Sequence, residues 1–360
     1  MRLQAQIHFL KPWSVARDRS GKEVVFVLGA GASRDAQLPL ADDLTRHWRG
    51  ELVKRVEGAA SLLEAIDRVR EPDDDGRLAD DYEQIFWWLQ TLWEHRLLRR
   101  SLGIDPATYD ALFHKIRENS RDIIADHLSE RQNSGGDVAY LSRFAEFATE
   151  RRAVKVFTLN YDTCVERACR SAGSPIVTGF DGDDERRRGW QPAVFDRERA
   201  KGGVHLYKLH GSLSWFGSDP NSFETVDPPD PACTKSHYGT RPRLILGPTS
   251  KVQSDDPCWW LLNQLHATLK RARACVVIGF RGRDPHVGER IAHERSLGLD
   301  VIEVGPDVDP NPEPSFPEPD RFKIGARLGV DCTASHALTT GRIHAALRDL
   351  DRLRTTSRDA

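Results

Sequence analysis

EVVFVLGAGAS, running from Glu23 to Ser33, is an apolar segment that ends in small residues. Such a run is typical of the first strand of an α/β fold entering a helix through a glycine turn. Amides at a helix N-terminus favour a pyrophosphate, and glycine lets the main chain approach a ligand closely. A glycine pair after a strand also occurs as a tight structural turn, so the pattern alone is a weak indication. The turn residues are Gly29, Ala30, Gly31, Ala32 and Ser33.

The same turn departs from the dinucleotide fingerprint of dehydrogenases. Arg34 stands where that fingerprint has its third glycine. A second strand with a terminal acid should follow about 20 residues later, but helical periodicity follows instead. A hydride-transferring dehydrogenase is therefore disfavoured.

A second apolar segment ends in polar residues. In KVFTLNYDT, Lys155 to Thr163, a predicted buried strand leads directly into Asn160, Tyr161 and Asp162. Asp162 could cap the helix that starts at Cys164, and Asn160 could serve a turn. The alternative is a ligand site, since open α/β sheets bind their ligands at strand ends.

VHLYKLHGSLSWF, Val204 to Phe216, repeats this design. Its apolar strand is followed by His210, Gly211 and Ser212, and the glycine frees the backbone after the histidine. A lone histidine is usually structural or on the surface. Here three strand ends would meet at one crevice of a parallel sheet, which favours a functional role for His210.

Strand and helix signals alternate in the second half of the chain. This alternation indicates a mostly parallel sheet with covered faces. We predict an α/β fold, a Rossmann-like mostly parallel sheet with a large inserted helical subdomain. Strands are predicted at Val154–Leu159, Val204–Leu209, Leu244–Leu246, Ala274–Ile278 and Val301–Val304, and helices at Pro257–Arg273 and Pro285–Leu297.

The domain prediction follows from these signals. Residues 1–40 and 151–304 are assigned to the α/β domain that carries the candidate site, and residues 41–150 to the inserted helical subdomain. Residues 305–360 are predicted to be a proline-rich loop and a C-terminal strand and helix extension. Gly305 to Asp320 holds six prolines, which is typical of an extended surface loop. A C-terminal helix is expected near Thr340 to Arg354.

DYEQIFWWLQTLWEHRLL, Asp81 to Leu98, has an apolar stripe at helical spacing. We interpret this stripe as core, with a subunit interface as the second possibility. The stripe residues are Ile85, Phe86, Leu89, Leu92, Trp93 and Leu97.

Composition excludes several classes of function. The 360 residues carry a formal net charge of −2, so there is no global basic field for direct binding of nucleic acid. The basic run ERRRGW, Glu185 to Trp190, is interpreted as a solvated loop. The six cysteines include no CxxC pair, so no zinc site and no disulfide framework is expected. The polar N-terminus and the lack of a long apolar run predict a cytoplasmic protein without a membrane segment.

The sequence resembles the sirtuin superfamily in three motifs that occur in this order: GAGAS with Pro39, TLNYD and KLHGSLSW. More specifically, they look like the sirtuin-like domain of bacterial antiphage defence NAD hydrolases. VIGFRGRDPHV, Val277 to Val287, and the following DVIEV are similar to the distal segment of that family. The resemblance spans roughly Glu23 to Val304.

The resemblance implies NAD as substrate and a role for each matching residue. Asn160 and His210 match the residues that cleave NAD, and Asp162 matches the aspartate that contacts the nicotinamide carboxamide. Residues Gly29 to Ser33 match the pyrophosphate turn. The remaining implied binding residues are Gly211 and Ser212 in the same cleft, Gly279, Phe280 and Asp284 in the distal element, and Glu303 at the adenosine ribose.

Two departures from the family pattern affect the expected activity. Sirtuin deacylases carry a four-cysteine zinc module after the HGS segment, and this chain has no CxxC pair, so a deacylase is disfavoured. Arg281 replaces the serine that is common after the distal aromatic residue, so a modified nucleotide could be preferred.

The expected function is hydrolysis of the nicotinamide–ribose bond of NAD in bacterial antiphage defence. A non-catalytic NAD or ADP-ribose scaffold is the alternative, followed by a protein deacylase or ADP-ribosyltransferase. The resemblance also implies a homo-oligomer and a separate sensor subunit, such as a HerA-type ATPase or an Argonaute-associated protein.

Overall fold

The computed structural model describes residues 23–68, 81–101, 106–150, 152–181, 187–197, 202–217, 223–226, 242–247, 257–282, 284–306, 308 and 327–356. The predicted proline-rich loop lies almost entirely outside these residues, as do residues 1–22 and the start of the ERRRGW run.

A seven-stranded sheet forms the centre of the α/β domain, in the order β11-β10-β9-β1-β2-β6-β3. Every neighbouring pair in this sheet is parallel. The strands are β1 (Val24–Leu28), β2 (Val154–Thr158), β3 (Ile176–Val177), β6 (Val204–Lys208), β9 (Ala274–Ile278), β10 (Asp300–Gly305) and β11 (Arg327–Asp331).

The central strands are apolar on both faces because both faces are covered. In β1, Phe26 and Leu28 pack into one core cluster, while Val25 and Val27 pack into another. Successive strand residues point to opposite faces, so such a run must be apolar throughout when helices lie on both sides. The predicted parallel α/β sheet is confirmed.

Two sets of helices cover the sheet. One face packs against a 3₁₀ helix at Ala139–Phe147 and the helices α6 (Cys164–Ser171), α10 (Ala334–Thr339) and α11 (Arg342–Thr356). The other face packs against α8 (Cys258–Arg271) and α9 (Pro285–Ser296), together with the short α7 (Val194–Arg197).

A smaller antiparallel sheet, in the order β4-β5-β8-β7, was not predicted. Its strands are two to four residues long, too short for a periodic pattern to stand out. They are β4 (Phe180–Asp181), β5 (Arg187–Trp190), β7 (Trp215–Phe216) and β8 (Glu224–Val226).

The inserted helical region follows β1 and precedes β2. Trp48 is fully buried in its core, and its indole Nε1 donates to Ser120 Oγ at 2.8 Å. The helices are α1 (Ala41–Arg55), α2 (Ala59–Asp67), α3 (Tyr82–Glu94), α4 (Arg96–Ser101) and α5 (Pro106–Asn133).

The apolar stripe of Asp81 to Leu98 is only partly core. Ile85, Phe86, Leu89 and Leu92 are buried, whereas Trp93 is 40% exposed and Leu97 is 79% exposed. For Leu97 the reason is a break at His95, which ends α3 with non-helical dihedral angles, so the helical spacing does not continue into α4. Trp93 lies inside α3, where its indole stacks on Phe113 with ring centroids 5.4 Å apart and stays partly exposed. The prediction of a core position is therefore wrong for Trp93 and Leu97.

Two further local predictions are wrong. The helix expected after GAGAS is a 3₁₀ helix of four residues, Ala30–Ser33, and the chain then turns through Gln37 at φ 64° before α1 begins. Leu244–Leu246 is not a strand, because this segment forms one isolated bridge with the loop after β6 instead of a ladder: Arg243 O accepts from Ser212 N, and Ile245 N donates to His210 O.

Within the described ranges, no helix combines the length and apolar character needed to cross a bilayer.

Candidate functional site

The glycine turn after β1 packs against the end of β9. Gly29 N donates to Ile278 O and Gly31 N donates to Gly279 O, both at 3.0 Å. A Cβ on Gly31 would lie 2.7 Å from Gly279 Cα, so only glycine permits this approach. Two predicted binding segments, the turn and the distal element, are thus brought into backbone contact.

Several amides of the turn are already bonded within the protein. Besides Gly29 and Gly31, Ala32 N donates to Gly29 O at 2.9 Å. A single 3₁₀ turn also aligns fewer peptide dipoles than a helix. Pyrophosphate binding by Gly29 to Ser33 therefore stays a prediction.

Asn160 connects the end of β2 to this turn. Its Nδ2 donates to Gly29 O at 3.0 Å and to Ser33 Oγ at 3.1 Å. The contact arises because β1 and β2 are neighbours, with Leu28 opposite Thr158. Asn160 is partly exposed at the edge where open α/β sheets bind ligands.

Asp162 is buried, and both of its carboxylate oxygens accept hydrogen bonds. Oδ2 accepts from Ser33 Oγ at 2.9 Å, and Oδ1 accepts from Cys164 N at 3.0 Å. The N-cap of α6 is Thr163, so the capping role considered for Asp162 is wrong, although its bond to Cys164 N does lie at the start of that helix. Each oxygen keeps a further lone pair for a carboxamide, but the side chain is buried, so nicotinamide would have to gain access to it.

A buried ion pair between Lys208 and Glu166 lies against the loop that follows β2. Lys208 Nζ donates to Asp162 O and lies 3.3 Å from Glu166 Oε1. Burial raises the pKa of Glu166, and the charge of Lys208 opposes that shift. Sequence reasoning missed this pair, although a lysine inside the apolar run VHLYKL was a visible signal.

His210 lies at the end of β6, the strand beside β2, and its side chain is 3% exposed. Nε2 is 3.0 Å from Asp284 Oδ2, and Nδ1 is 3.4 Å from Glu83 Oε1. The following Gly211 adopts φ +87°, and a Cβ there would lie 2.0 Å from Arg243 O. The tight turn after His210 therefore requires glycine.

The two carboxylates that face His210 come from different parts of the fold. Asp284 caps α9 and accepts from Val287 N at 3.0 Å through Oδ1. Glu83 lies in the first turn of α3, after the N-cap residue Asp81. Sequence reasoning missed Glu83, because acids in the first turn of a helix are common and need no partner.

Glu83, His210 and Asp284 place one possible metal-ligand atom each within 4.8 Å of one another, a cluster that the sequence did not predict. The two carboxylates contact different ring nitrogens. A single ion can bind only one of those nitrogens, so a protonated imidazole bridging two carboxylates fits this geometry better.

The other predicted binding residues have partners of their own. Ser212 is fully buried, and its N donates to Arg243 O at 3.1 Å. Glu303, on β10, binds Arg327 of β11 through two bonds of 3.0 and 2.6 Å. Phe280 is half-buried beside the glycine turn.

Within the part of the chain that the structure describes, the His210 side chain is 3% exposed and little open space adjoins it. The cavity beside it measures about 10 Å³, which is too small for a ribose. It is lined by Leu209, His210, Cys258, Leu262, Asp284, His286 and Val287. A nucleotide could reach the imidazole only after side chains or loops move.

Comparison with known proteins gives one family match. Residues 154–300 match the SIR2-like domain family. The matched part includes Asn160, Asp162, His210 and Asp284, but it does not include the glycine turn. No protein of curated function matches the sequence.

Solved structures of Sir2 proteins also align with the chain at low similarity. A complex of a Sir2 homologue with NAD has 18% identity and a TM-score of 0.46, covering 92% of each chain. A triple mutant of Sir2 homologues with 2′-O-acetyl-ADP-ribose has 18% identity and a TM-score of 0.45, covering 92% of this chain and 94% of that one. A structure reported on the mechanism and regulation of Sir2 enzymes has 15% identity and a TM-score of 0.40, covering 94% and 95%.

Proposed function

We propose that this chain is an NAD glycohydrolase that converts NAD to nicotinamide and ADP-ribose. One juxtaposition carries the proposal: Asn160 is bonded to the glycine turn at the end of β1, and His210 ends the next strand of the same parallel sheet. The match of residues 154–300 to the SIR2-like domain supports it, and so does the order of the sequence motifs.

The residue types suit this reaction. Nicotinamide leaves as a neutral base, so the acid and base carboxylates of ordinary glycosidases are not needed. The bond from the nicotinamide nitrogen to the ribose breaks with its electron pair going to nicotinamide, while a water oxygen bonds to the ribose carbon. Asn160 can position the sugar and the water without adding charge, and His210 can accept the proton that the water loses.

The direct test is incubation of the pure chain with NAD, with nicotinamide and ADP-ribose separated by chromatography. Asn160→Ala and His210→Ala should each lower the rate by about 100-fold or more. Ser142→Ala, at a partly exposed serine outside the site, should keep the wild-type rate. Full activity in both site variants, with folding verified by circular dichroism, would contradict the proposal.

The closed geometry favours a second candidate, a scaffold that binds NAD or ADP-ribose without turnover. His210 is almost fully buried, and both of its ring nitrogens face carboxylates. Calorimetry would separate the two candidates: heat of NAD binding without release of nicotinamide identifies the scaffold.

The biological setting follows from the family resemblance. We propose an effector of bacterial antiphage defence that acts in the cytoplasm, as a homo-oligomer, together with a separate sensor subunit such as a HerA-type ATPase or an Argonaute-associated protein. The exposed indoles of Trp87 and Trp93 on α3 supply apolar surface suited to a protein contact. Light scattering of the pure chain tests the oligomer, and NAD measured in infected cells tests the role in defence.

A further inference from the structure

The imidazole of His210 lies between two carboxylates, one of which is fixed by its contacts and the other more free to move. Asp284 is fixed, since its side chain is 2% exposed and its second oxygen is bonded to Val287 N. Glu83 has a side chain that is 18% exposed, and its contact with Nδ1 is the longer one, at 3.4 Å. Glu83 is therefore the group that an incoming molecule can displace.

The number of protons on the His210 ring follows from the same geometry. A ring nitrogen donates to a carboxylate only when it carries a hydrogen. With both carboxylates ionised, the two contacts are hydrogen bonds only when Nδ1 and Nε2 are both protonated. In this arrangement His210 is a cation between two anions, and it cannot accept a proton.

We propose that Glu83, contributed by the helical region, is a positioning residue of the NAD site that retains the second ring proton of His210. The imidazole becomes a proton acceptor when substrate or the attacking water replaces Glu83 at Nδ1. The Nδ1 proton leaves with the Glu83 carboxylate and passes to solvent, and the freed nitrogen then takes the proton of the water. This inference rests on the proposed hydrolysis of NAD.

Other titratable groups near this contact do not supply the second anion. Burial raises the pKa of Tyr82 and of Tyr161 well above the usual range, with Glu83 a further cause in both, so both phenols stay neutral. Arg121 faces Tyr161, and the imidazole of His286 and the thiol of Cys258 line the small cavity beside His210. Asp284 and Glu83 are the carboxylates that contact the ring.

The first test needs no catalysis. In the chain labelled at histidine, the His210 resonance is assigned by its absence from the His210→Asn spectrum, and nitrogen shifts report the protonation of each ring atom. The wild type should have both nitrogens protonated near neutral pH. A neutral ring would overturn the inference while leaving the proposed NAD hydrolysis open.

The second test compares Glu83→Gln with wild type. Loss of the neighbouring anion makes the second proton easier to remove, so the His210 titration should shift to lower pH by about one to three units. The acid limb of kcat/KM for NAD should shift in the same direction. A purely structural role would lower activity at every pH and leave the midpoint unchanged, and that outcome would overturn the inference.

Two variants complete the design. Glu83→Asp keeps the charge and should shift the titration less than Glu83→Gln. Glu94→Gln, the same change on an exposed position of the same helix, should leave the titration and the rate as in wild type. If the wild type releases no nicotinamide while its His210 titration shifts as stated, the proposed function fails and the contact with Glu83 stands.

Discussion

Lys208 and Glu166 show how a single buried pair supports the site. Their side chains are 2% and 5% exposed, and Lys208 also donates to Asp162 O, in the loop that carries Asn160. Removing one charge of a buried pair leaves the other without compensation, whereas replacing both with apolar groups is often tolerated. Replacing Lys208 alone should therefore affect both the stability of the chain and the geometry of the site.

Lys208→Met should lower the free energy of unfolding by about 3–5 kcal/mol in urea denaturation. The loss should be smaller for Lys208→Met combined with Glu166→Leu, which leaves no buried charge. Equal losses in the two variants would show that packing, not charge, is responsible.

The pH dependence of this variant has a definite sign. Burial raises the pKa of Glu166 above its ordinary 4.5, and Lys208 opposes that rise. Without Lys208 the folded chain holds the Glu166 proton to higher pH than the unfolded chain, so stability falls as pH rises through that window. The loss caused by Lys208→Met should therefore be smaller at about pH 5 than at about pH 8.

At the scale of elements, the glycine turn and the end of β9 are in direct backbone contact. The sequence placed a turn after β1 and a second glycine after β9, but their approach depends on these strands being neighbours in the sheet. Gly279 adopts φ +62° where it meets Gly31, a conformation that glycine tolerates best. Glycine at both positions is thus explained by packing, whether or not a phosphate binds.

Gly31→Ala should destabilise the chain and weaken NAD binding, since its Cβ would lie 2.7 Å from Gly279 Cα and 3.1 Å from Gly279 O. Gly50→Ala is the matched control, because nothing lies within 4 Å of a Cβ at this exposed position in α1. The control should raise the free energy of unfolding by about 1 kcal/mol. Thermal unfolding and NAD calorimetry on both variants test this prediction, and equal behaviour would contradict it.

For the whole molecule, the segment 242–247 links the helical region to the sheet. Ile245 N donates to His210 O, and Ile245 O accepts from Tyr161 OH at 2.7 Å. Leu244 and Leu246 pack in the core of the helical region, which also takes in Tyr161 and Leu213. The loops of the candidate site are therefore part of the helical core.

Leu246→Ala should lower the free energy of unfolding by about 2–5 kcal/mol, as expected for a buried leucine. Because the two regions share this core, tryptophan fluorescence and far-ultraviolet circular dichroism should give the same urea midpoint. Val53→Ala, at an exposed position of α1, should change stability by about 0.5 kcal/mol or less. Two separate transitions in wild type would refute the shared core.

How much of the fold could be predicted depends on the length of the sequence pattern that each strand or helix carries. Strands of five or more residues buried on both faces, such as β1 and β9, are visible as apolar runs. The two-residue strands and the Leu244–Leu246 segment carry no such period, and the backbone partner of that segment is the loop after β6.

The amino-acid sequence by itself determined the parallel α/β sheet and the polar residues at its strand ends, because apolar runs and glycine turns are local properties of the chain. Only the tertiary structure placed Glu83 against His210 and Ser33 Oγ against Asp162 Oδ2. Those two contacts join residues more than a hundred positions apart, and a side chain's partners depend on which elements pack together. The closure of the site around His210 is likewise a result of packing.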